Sequence, residues 1–337
     1  MQITERQFVD LLRRQALLSQ GSLTPEGFRP QGVGGQAGRR SQAAELRQGI
    51  GDDCAVIAHT RRKDLLVTTD LFLEGIHYRR DWQEPASVGH KALARGLSDI
   101  AAMGGTPRYA FLSLGLPRKL GLRWVREFLS GFLQLAAAAK VVLAGGDTGS
   151  SPSGFLADVI VVGDVPRNQA ILRSGARPGD EIWVTGTLGT AALGLAALQS
   201  GKKLRRSHEA FQAFCYPQPR LRIGRYLRRQ KLASALIDLS DGLSIDLARL
   251  CEESGTGARI VEASIPRLPQ TPAHNALHGG EDLELLFTVP PERSHKLPRS
   301  LDGIRFTRIG QVTPGRKLRL IRGSREYPLP ILGFEHF

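Results

Sequence analysis

The chain has 337 residues, enough for two domains of about 150 residues that each bury a core of their own. Hydrophobic residues make up 41% and charged residues 23%, a composition that excludes full disorder, collagen-like repeats and a pure coiled coil. The formal charge is +14, from 46 Lys and Arg against 32 Asp and Glu. No run of about 18 apolar residues occurs, so we expect no membrane partner.

The N-terminal residues and the cysteines indicate the compartment. No basic stretch followed by an apolar core is present at the start, so no secretory signal is predicted. Cys54, Cys215 and Cys251 are odd in number and far apart, which argues against a disulfide framework and a zinc site. We therefore expect a cytoplasmic protein.

The positive charge is distributed in short Lys and Arg clusters without interleaved aromatic residues. No helix-turn-helix, zinc-finger or RNA-binding signature accompanies these clusters, so no nucleic-acid partner is expected. Attraction of small polyanions is the favoured interpretation of the charge.

The first 48 residues differ from the rest of the chain. Residues 7–18 have apolar side chains at helical spacing and predict a short amphipathic helix. Residues 21–48 are rich in Gly, Arg, Gln and Pro and predict a mobile loop. A Gly-rich stretch at 34–41 resembles a phosphate-binding loop only superficially, because the lysine and the preceding strand are missing.

After residue 53, short apolar strands alternate with amphipathic helices. The first half predicts strands at 54–58, 65–69, 109–116, 141–144 and 155–165, and helices at 86–103 and 122–139. The second half predicts strands at 181–185, 235–238, 284–289 and 306–312, and helices at 190–200, 219–229 and 244–254.

The segment 166–178 carries Gly, Pro and polar residues, and we interpret it as the domain boundary. The predicted parts are residues 1–48 (helix and loop), 49–165 (N-terminal domain) and 166–337 (C-terminal domain). The alternation predicts two α/β units of similar size.

Aspartates follow several of these strands or lie beside glycines. They are Asp53, Asp70, Asp99, Asp147, Asp238 and Asp241. In open α/β sheets the ligand crevice lies outside the carboxyl ends of the strands, so these side chains can converge on one site. Each one alone could also be a turn residue or a helix cap, and Asp246, one turn into a helix, is interpreted as a solvated residue.

Several carboxylates close together repel one another unless cations lie between them. Carboxylate oxygens suit Mg²⁺, which binds through a few carboxylates, water and substrate phosphates. Backbone N–H groups in the glycine turns can bind phosphate oxygens. The residues therefore predict a magnesium–polyphosphate site without a Walker motif.

Four motifs carry a family resemblance: Gly-Ile-Gly-Asp-Asp at 49–53, Gly-Gly-Asp-Thr at 145–148, Ile-Asp-Leu-Ser-Asp-Gly at 237–242 and Gly-Gly-Glu-Asp at 279–282. Further matching segments lie at 68–70, 75–78, 91–104 and 173–180. These motifs occur in the same order as in the thiamine-monophosphate kinase family, and from residue 49 onwards the chain resembles that family. The family belongs to the superfamily that includes AIR synthase and selenophosphate synthetase.

The resemblance implies a two-domain mixed α/β fold of the AIR synthase type. The N-terminal domain would form a barrel shared between the two subunits of a homodimer, followed by a C-terminal α/β domain. The implied activity is ATP-dependent phosphorylation of thiamine monophosphate to thiamine diphosphate, the last step in the biosynthesis of that cofactor. ATP would be the co-substrate and several Mg²⁺ ions the cofactors.

The resemblance also implies roles for individual residues. The implied metal ligands are Asp53, Thr68, Thr69, Asp70, Asp99, Asp147, Asp238 and Asp241. The implied ATP contacts are Gly146, Asp147, Arg173 and Ser240, and the implied substrate contacts are His77, Glu281 and Phe334. No side-chain nucleophile or base is expected, because a phosphate monoester with a second pKa near 6 is already largely anionic at neutral pH.

Other interpretations stay open at this point. Phe334 could anchor the C-terminus in a core, Glu281 could be a turn carboxylate, His77 a structural histidine and Arg173 a solvated linker residue. An AIR synthase-like enzyme acting on a purine precursor would share the Asp–Mg–ATP half of the site. A basic nucleic-acid-binding protein would instead show binding that falls steeply with salt.

Overall fold

The structure is a computed structural model, and it describes Gln7, residues 45–202 and residues 204–336. The predicted helix 7–18 lies outside the described residues except for Gln7, and residues 21–44 of the predicted loop also lie outside them. The last three residues of that loop form a strand, so the loop prediction is wrong at its end. Within the described part of the chain, no helix is long and apolar enough to cross a membrane.

The first unit is a six-stranded sheet. Its strands are β1 (Leu46–Gln48), β2 (Ala55–Ala58), β3 (Lys63–Leu73), β4 (Thr106–Pro117), β5 (Val142–Ser151) and β6 (Leu156–Pro166). The strand order is β1-β2-β3-β6-β4-β5, and all neighbours are antiparallel except the parallel pair β4 and β5. Buried and partly exposed residues alternate along β6, as expected where one face of a sheet is covered.

Two helices cover one face of this sheet, α1 (Pro85–Ala102) and α2 (Leu122–Ala139). Nearly every residue of α1 from Ser87 onwards is buried, which makes α1 the central helix of the unit. Glycines let the two helices approach closely. A Cβ at Gly89 would lie 1.9 Å from the Phe128 carbonyl oxygen, and a Cβ at Gly131 would lie 1.8 Å from that of Ala86.

The opposite face of the sheet carries large apolar side chains that remain exposed. Leu71 on β3, Tyr109 and Phe111 on β4 and Val142 on β5 are each 37–58% exposed. A group of this kind is unusual on a solvent-facing sheet and is typical of an interaction surface. We refer to these four residues as the apolar sheet face.

The second unit is an eight-stranded sheet with short helices. Its strands are β7 (Glu181–Thr185), β8 (Ala235–Leu239), β9 (Gly257–Val261), β10 (Glu284–Val289), β11 (Ser300–Leu301), β12 (Ile304–Thr313), β13 (Leu318–Arg322) and β14 (Arg325–Pro328). The order is β14-β13-β9-β12-β7-β10-β8, with β11 paired to β12. Only β9 and β13 pair in parallel.

Helices accompany this second sheet. They are α3 (Thr190–Gln199), α4 (Glu209–Cys215), α5 (Leu221–Arg229), α6 (Leu243–Ser254), α7 (Ala273–His278) and α8 (Pro291–Ser294), with a 3₁₀ turn at Glu262–Ser264.

The C-terminal end of α1 joins the two units. Ala101 and Ala102 belong to one buried apolar cluster with Ile223 and Leu227 of α5. A Cβ at Gly224 would lie 1.9 Å from the Ala101 carbonyl oxygen, so only glycine allows α5 to approach this closely. The last turn of α1, with Asp99, is therefore held between the two sheets.

The predicted mixed α/β fold with two units is confirmed. The bounds predicted for β7, β10 and α2 agree with the structure. The expectation that aspartates follow strand ends is wrong for Asp70, Asp147 and Asp238, which lie within β3, β5 and β8, and is confirmed for Asp241, which lies two residues after β8. Both sheets are mainly antiparallel, so a row of parallel strand ends is not what gathers the carboxylates.

Candidate active site

Three carboxylates, two of them buried and that of Asp99 half-buried, meet at the junction of the two units. Asp53 lies two residues before β2, Asp99 lies in the last turn of α1, and Asp238 lies within β8. Each offers one carboxylate oxygen, and these oxygens all lie within 4.8 Å of one another. We call Asp53, Asp99 and Asp238 the carboxylate cluster.

The carboxylate cluster is electrostatically costly in the protein alone. Burial, followed by the charge of Asp70, raises the pKa of Asp99 well above its ordinary range. Burial, followed by the charge of Asp53, does the same for the pKa of Asp238. Carboxylates that share a buried site cannot all ionise unless positive charge is supplied. A cluster of oxygen donors that lacks compensating positive charge suits a divalent cation such as Mg²⁺.

Arginines supply part of that positive charge around the cluster. Arg173 donates two hydrogen bonds to the Asp53 carboxylate, of 2.8 Å from Nη2 and 3.2 Å from Nε. Arg95 of α1 pairs with Asp70 at 3.2 Å. Asp99 and Asp238 form no arginine ion pair among the described residues, so the uncompensated charge lies at the centre of the cluster.

The turn after β8 adds a second acidic group beside the cluster. Asp241 forms an ion pair with Arg249 of α6, and the Arg249 guanidinium also reaches Asp246 at 2.9 Å. Asp246 accepts hydrogen bonds from the backbone N–H groups of Asp241 and Gly242, at 3.1 and 3.0 Å. Asp246 is fully buried, so its interpretation as a solvated residue is wrong: it fixes the turn that carries Asp241.

A cavity of about 420 Å³ opens beside these groups. Its lining includes Asp70, Arg173 and Ser240, and also Phe334 and His336 of the C-terminal segment. A larger cavity of about 730 Å³ lies between α2 and α5, but it contains none of the clustered carboxylates. The smaller cavity is therefore the one with the chemistry of a phosphoryl-transfer site.

His77 lies next to the aromatic end of this cavity. Its ring is 6.1 Å from the Phe334 ring and 5.3 Å from the His336 ring, between centroids. Nδ1 accepts a hydrogen bond of 3.0 Å from the Leu73 N–H, and burial lowers the pKa of His77 to about 3. The neutral ring therefore carries its proton on Nε2, which has no hydrogen-bond partner among the described residues.

Glu281 lies in the turn that leads into β10. Its backbone N–H donates to the Ser240 carbonyl oxygen at 2.7 Å, which joins this turn to the one after β8. Its carboxylate forms an ion pair of 2.8 Å with Lys91 of α1. About 20% of the Glu281 side chain stays exposed, so it remains accessible to a ligand.

Comparison with known proteins agrees with this geometry. The model of the AIR synthase related protein N-terminal domain matches residues 51–165, and that of the C-terminal domain matches residues 177–323. Thiamine-monophosphate kinase of Salmonella typhimurium is 37% identical over 312 residues, which cover 88% of this chain and 94% of the relative. That of Bacillus subtilis is 34% identical, covering 86% and 93%. The chain belongs to the thiamine-monophosphate kinase family.

Solved structures of this family are also similar over most of the chain. The structure described as AaThiL complexed with AMPPCP and TMP superposes with a TM-score of 0.81 at 28% identity, covering 99% of this chain and 97% of that one. Thiamine-monophosphate kinase from Stenotrophomonas maltophilia K279a gives a TM-score of 0.72 at 34% identity, covering 84% and 93%. The predicted family resemblance is confirmed.

Most residues that the sequence nominated as thiamine-monophosphate kinase site residues come together. Around the cavity and the carboxylate cluster lie Asp53, Asp70, Asp99, Asp238, Asp241, Arg173, Ser240 and Phe334. Thr68 donates a short hydrogen bond to Asp99, and His77 and Glu281 flank the cavity.

Three nominated residues lie elsewhere. Thr69 points to the opposite face of β3, where it donates to Asp158 at 2.8 Å. Gly146 and Asp147 are exposed on β5, and the sheet register pairs Asp147 with Ser113 on β4. This places Thr69 and Asp147 on the side of the sheet that carries the apolar sheet face.

Lys91 and Arg95 are not among the residues that the sequence nominated. With Asp99 they are spaced four residues apart, so all three lie on one side of α1. A charged stripe along an otherwise buried helix was the signal that could have identified them.

Proposed function

We propose that this chain transfers the γ-phosphoryl group of ATP to the phosphate of thiamine monophosphate, giving thiamine diphosphate and ADP. The observation that carries the proposal is the carboxylate cluster, which adjoins a cavity lined by both arginine and aromatic side chains. The family to which the chain belongs supports the same reaction.

Magnesium is the cofactor that fits these residues. The proposed ligands at the junction of the two units are Asp53, Thr68, Asp70, Asp99, Asp238 and Asp241. Thr69 and Asp147, which also offer hard oxygen donors, are proposed as ligands on the opposite side of the first sheet, where a second subunit would cover them. Bound Mg²⁺ would neutralise the carboxylates and the phosphate charge that develops during transfer. The raised pKa values of Asp99 and Asp238 support the fit, because they reflect a local deficit of positive charge.

The nucleotide contacts that we propose are Arg173 and Ser240, which line the cavity, and Gly146 and Asp147, which lie on β5 on the side of the first sheet that a second subunit would cover. Arg173 is well suited to phosphate, because a guanidinium offers two parallel N–H donors. In this structure both donors are occupied by Asp53. We infer that Arg173 exchanges this carboxylate for phosphate oxygens when a cation takes over the neutralisation of Asp53.

The acceptor side is assigned to His77, Glu281 and Phe334. Phe334 is 40% exposed, and an aromatic face stabilises a cationic thiazolium ring. The Nε2–H of His77, which has no partner among the residues that the structure describes, offers a hydrogen bond, and the Glu281 carboxylate can accept one from an aminopyrimidine.

The reaction needs no side-chain nucleophile or base. A phosphate oxygen of thiamine monophosphate attacks the γ-phosphorus, a new P–O bond forms, and the bond to the β,γ-bridging oxygen breaks with ADP as the leaving group. This chain's residues would orient the two anions for this transfer, with Arg173 offsetting part of their repulsion, and Mg²⁺ held by the carboxylates would supply further positive charge.

We further propose that the enzyme is a cytoplasmic homodimer in which the first sheets of two subunits form a shared barrel. The apolar sheet face and the exposed edge strand β5 support this arrangement, because both are surfaces that a second chain would cover.

The test is ADP release by the purified protein with ATP, with and without thiamine monophosphate, before and after metal removal. We expect ADP release that depends on the acceptor, with one thiamine diphosphate formed per ADP by chromatography. EDTA should abolish turnover and excess Mg²⁺ should restore it. Turnover on a purine precursor but not on thiamine monophosphate would contradict the proposal, and so would salt-sensitive nucleic-acid binding without ATP turnover.

A further inference from the structure

Lys91 is a buried cation that none of the assigned roles uses. Its side chain is 1% exposed in the middle of α1. The Nζ atom lies 2.8 Å from Glu281 Oε1 and 3.1 Å from the His77 carbonyl oxygen, and 3.7 Å from the centroid of the Phe214 ring. The ammonium group is thus held by a carboxylate, a carbonyl and an aromatic face.

A lysine in this place is costly. Burial lowers the pKa of Lys91, against the opposing effect of the Glu281 charge. Replacing a buried ion pair by apolar residues of similar size is often neutral or stabilising, so stability alone does not account for a cation inside this helix. The contacts of Lys91 therefore point to a role in placing the groups that it touches.

Glu281 needs such placement because its backbone is strained. Its φ is +71°, in the left-handed region that side chains other than glycine rarely adopt. The hydrogen bond from its N–H to Ser240 fixes the backbone, and the ion pair with Lys91 fixes the carboxylate. Two separate restraints thus hold Glu281, and one of them comes from Ser240, which lines the cavity.

Lys91 connects the two units through these contacts. His77 lies in the first unit, in the turn after β3, and Glu281 lies in the second unit, before β10. Lys91 holds the backbone of one and the carboxylate of the other. Both residues belong to the acceptor side of the proposed site, whereas Arg173 and Ser240 belong to the nucleotide side.

We propose that Lys91 is a positioning residue for acceptor recognition: it fixes the carboxylate of Glu281 and the His77 turn in the geometry that binds thiamine monophosphate. This rests on the proposed function. Lys91 does not touch the acceptor, because its side chain is enclosed by protein. Its effect is expected on binding of the acceptor and not on binding of MgATP.

The experiment compares Lys91→Met, Glu281→Gln and the double variant, with Lys296→Met as the matched control because Lys296 is exposed. Steady-state kinetics gives KM for thiamine monophosphate and for MgATP. We expect Lys91→Met to raise the acceptor KM about ten- to a hundredfold, as is typical for loss of a charged hydrogen bond, and to change the MgATP KM less than about twofold. Lys296→Met should match the wild type.

The double variant decides whether Lys91 acts through Glu281. If it does, Lys91→Met/Glu281→Gln should have the acceptor KM of Glu281→Gln within about twofold, because the two losses are not additive. The double variant leaves no unpaired buried carboxylate, so it carries the test even if Lys91→Met alone fails to fold.

Three results would overturn the proposal. The first is an acceptor KM that does not change in Lys91→Met. The second is an equal rise in the KM for thiamine monophosphate and the KM for MgATP. The third is a double variant whose change in acceptor KM equals the two single changes combined. In each case the wild type still turns over thiamine monophosphate, so the result contradicts the role of Lys91 and does not contradict the proposed function. Absence of wild-type turnover on thiamine monophosphate would remove the proposed function, and the Lys91 proposal with it.

Discussion

His77 has a protonation state that its surroundings fix. It is 5% exposed, its Nδ1 accepts the Leu73 N–H, and its ring stacks on Phe72 with 5.5 Å between centroids. Burial disfavours the charged imidazolium, and the positive charge of Arg95 adds to this effect, which is why the pKa of His77 falls from 6.5 to about 3. The ring therefore stays a neutral hydrogen-bond donor throughout the physiological pH range.

This shift predicts a specific dependence of stability on pH. Between pH 6.5 and 3 the unfolded chain binds a proton at His77 that the folded chain does not, so the free energy of unfolding falls as the pH falls. From pH 7 to pH 5, the wild type should lose about 2 kcal/mol more than His77→Gln. Urea unfolding at both pH values measures this difference.

A matched control uses an exposed histidine. His295→Gln should lose stability between pH 7 and pH 5 as the wild type does, because no buried imidazole is removed. Equal slopes for wild type and His77→Gln would show that His77 is protonated in the folded protein.

For individual residues, the sequence predicted which side chains belong to the site better than it predicted which groups those side chains contact. The aspartates of the carboxylate cluster were nominated because glycines and apolar strands flank them. Asp246 was misjudged, since helical position alone does not reveal that a carboxylate turns back to accept two backbone N–H groups. Arg95 was missed because its partner Asp70 is distant along the chain and adjacent only in the fold.

At the scale of elements, the crossing of α1 and α2 determines where the charged stripe of α1 lies. The two helices meet where Gly89 faces the backbone at Phe128 and Gly131 faces the backbone at Ala86. This contact holds the N-terminal half of α1, and α5 holds its C-terminal end. The position of Lys91 and Asp99 depends on both contacts.

Gly131→Ala should therefore destabilise the protein strongly. The added Cβ would lie 1.8 Å from the Ala86 carbonyl oxygen, and the helices must separate to admit it. We expect the free energy of unfolding to fall by about 1–3 kcal/mol, measured by denaturant titration. Gly149→Ala on β5 is the comparison, because nothing lies within 4 Å of its added Cβ. A small effect at both positions would contradict the close crossing.

The sequence predicted elements best where periodicity was continuous. α2 was placed correctly from its apolar spacing. β3 was ended too early because Asp70 was taken as a terminator, although Leu71, Phe72 and Leu73 continue the strand. β13 and β14 were missed, since arginines interrupt the apolar pattern of these two strands, which lie at one end of the sheet.

At the scale of the whole molecule, the proposed site residues are divided between two places. The carboxylate cluster lies at the C-terminal end of α1, at the junction of the two units. Thr69 and Asp147 lie on the side of the first sheet that carries the apolar sheet face. A second subunit packed on that face would enclose Thr69 and Asp147 and remove them from bulk water. Dimerisation and activity are therefore expected to depend on the same surface.

This expectation is tested by Phe111→Glu in the centre of the apolar sheet face. Phe111 is 37% exposed, so a charge is tolerated in a monomer but would be buried in the shared barrel. We expect the wild type to have the mass of a dimer by light scattering, the variant to have the mass of a monomer, and its turnover to fall at least tenfold. Leu133→Glu on α2, where the side chain is 46% exposed, should stay dimeric and active. A dimeric Phe111→Glu protein would place the subunit contact elsewhere, and a fully active monomer would show that the site is complete within one chain.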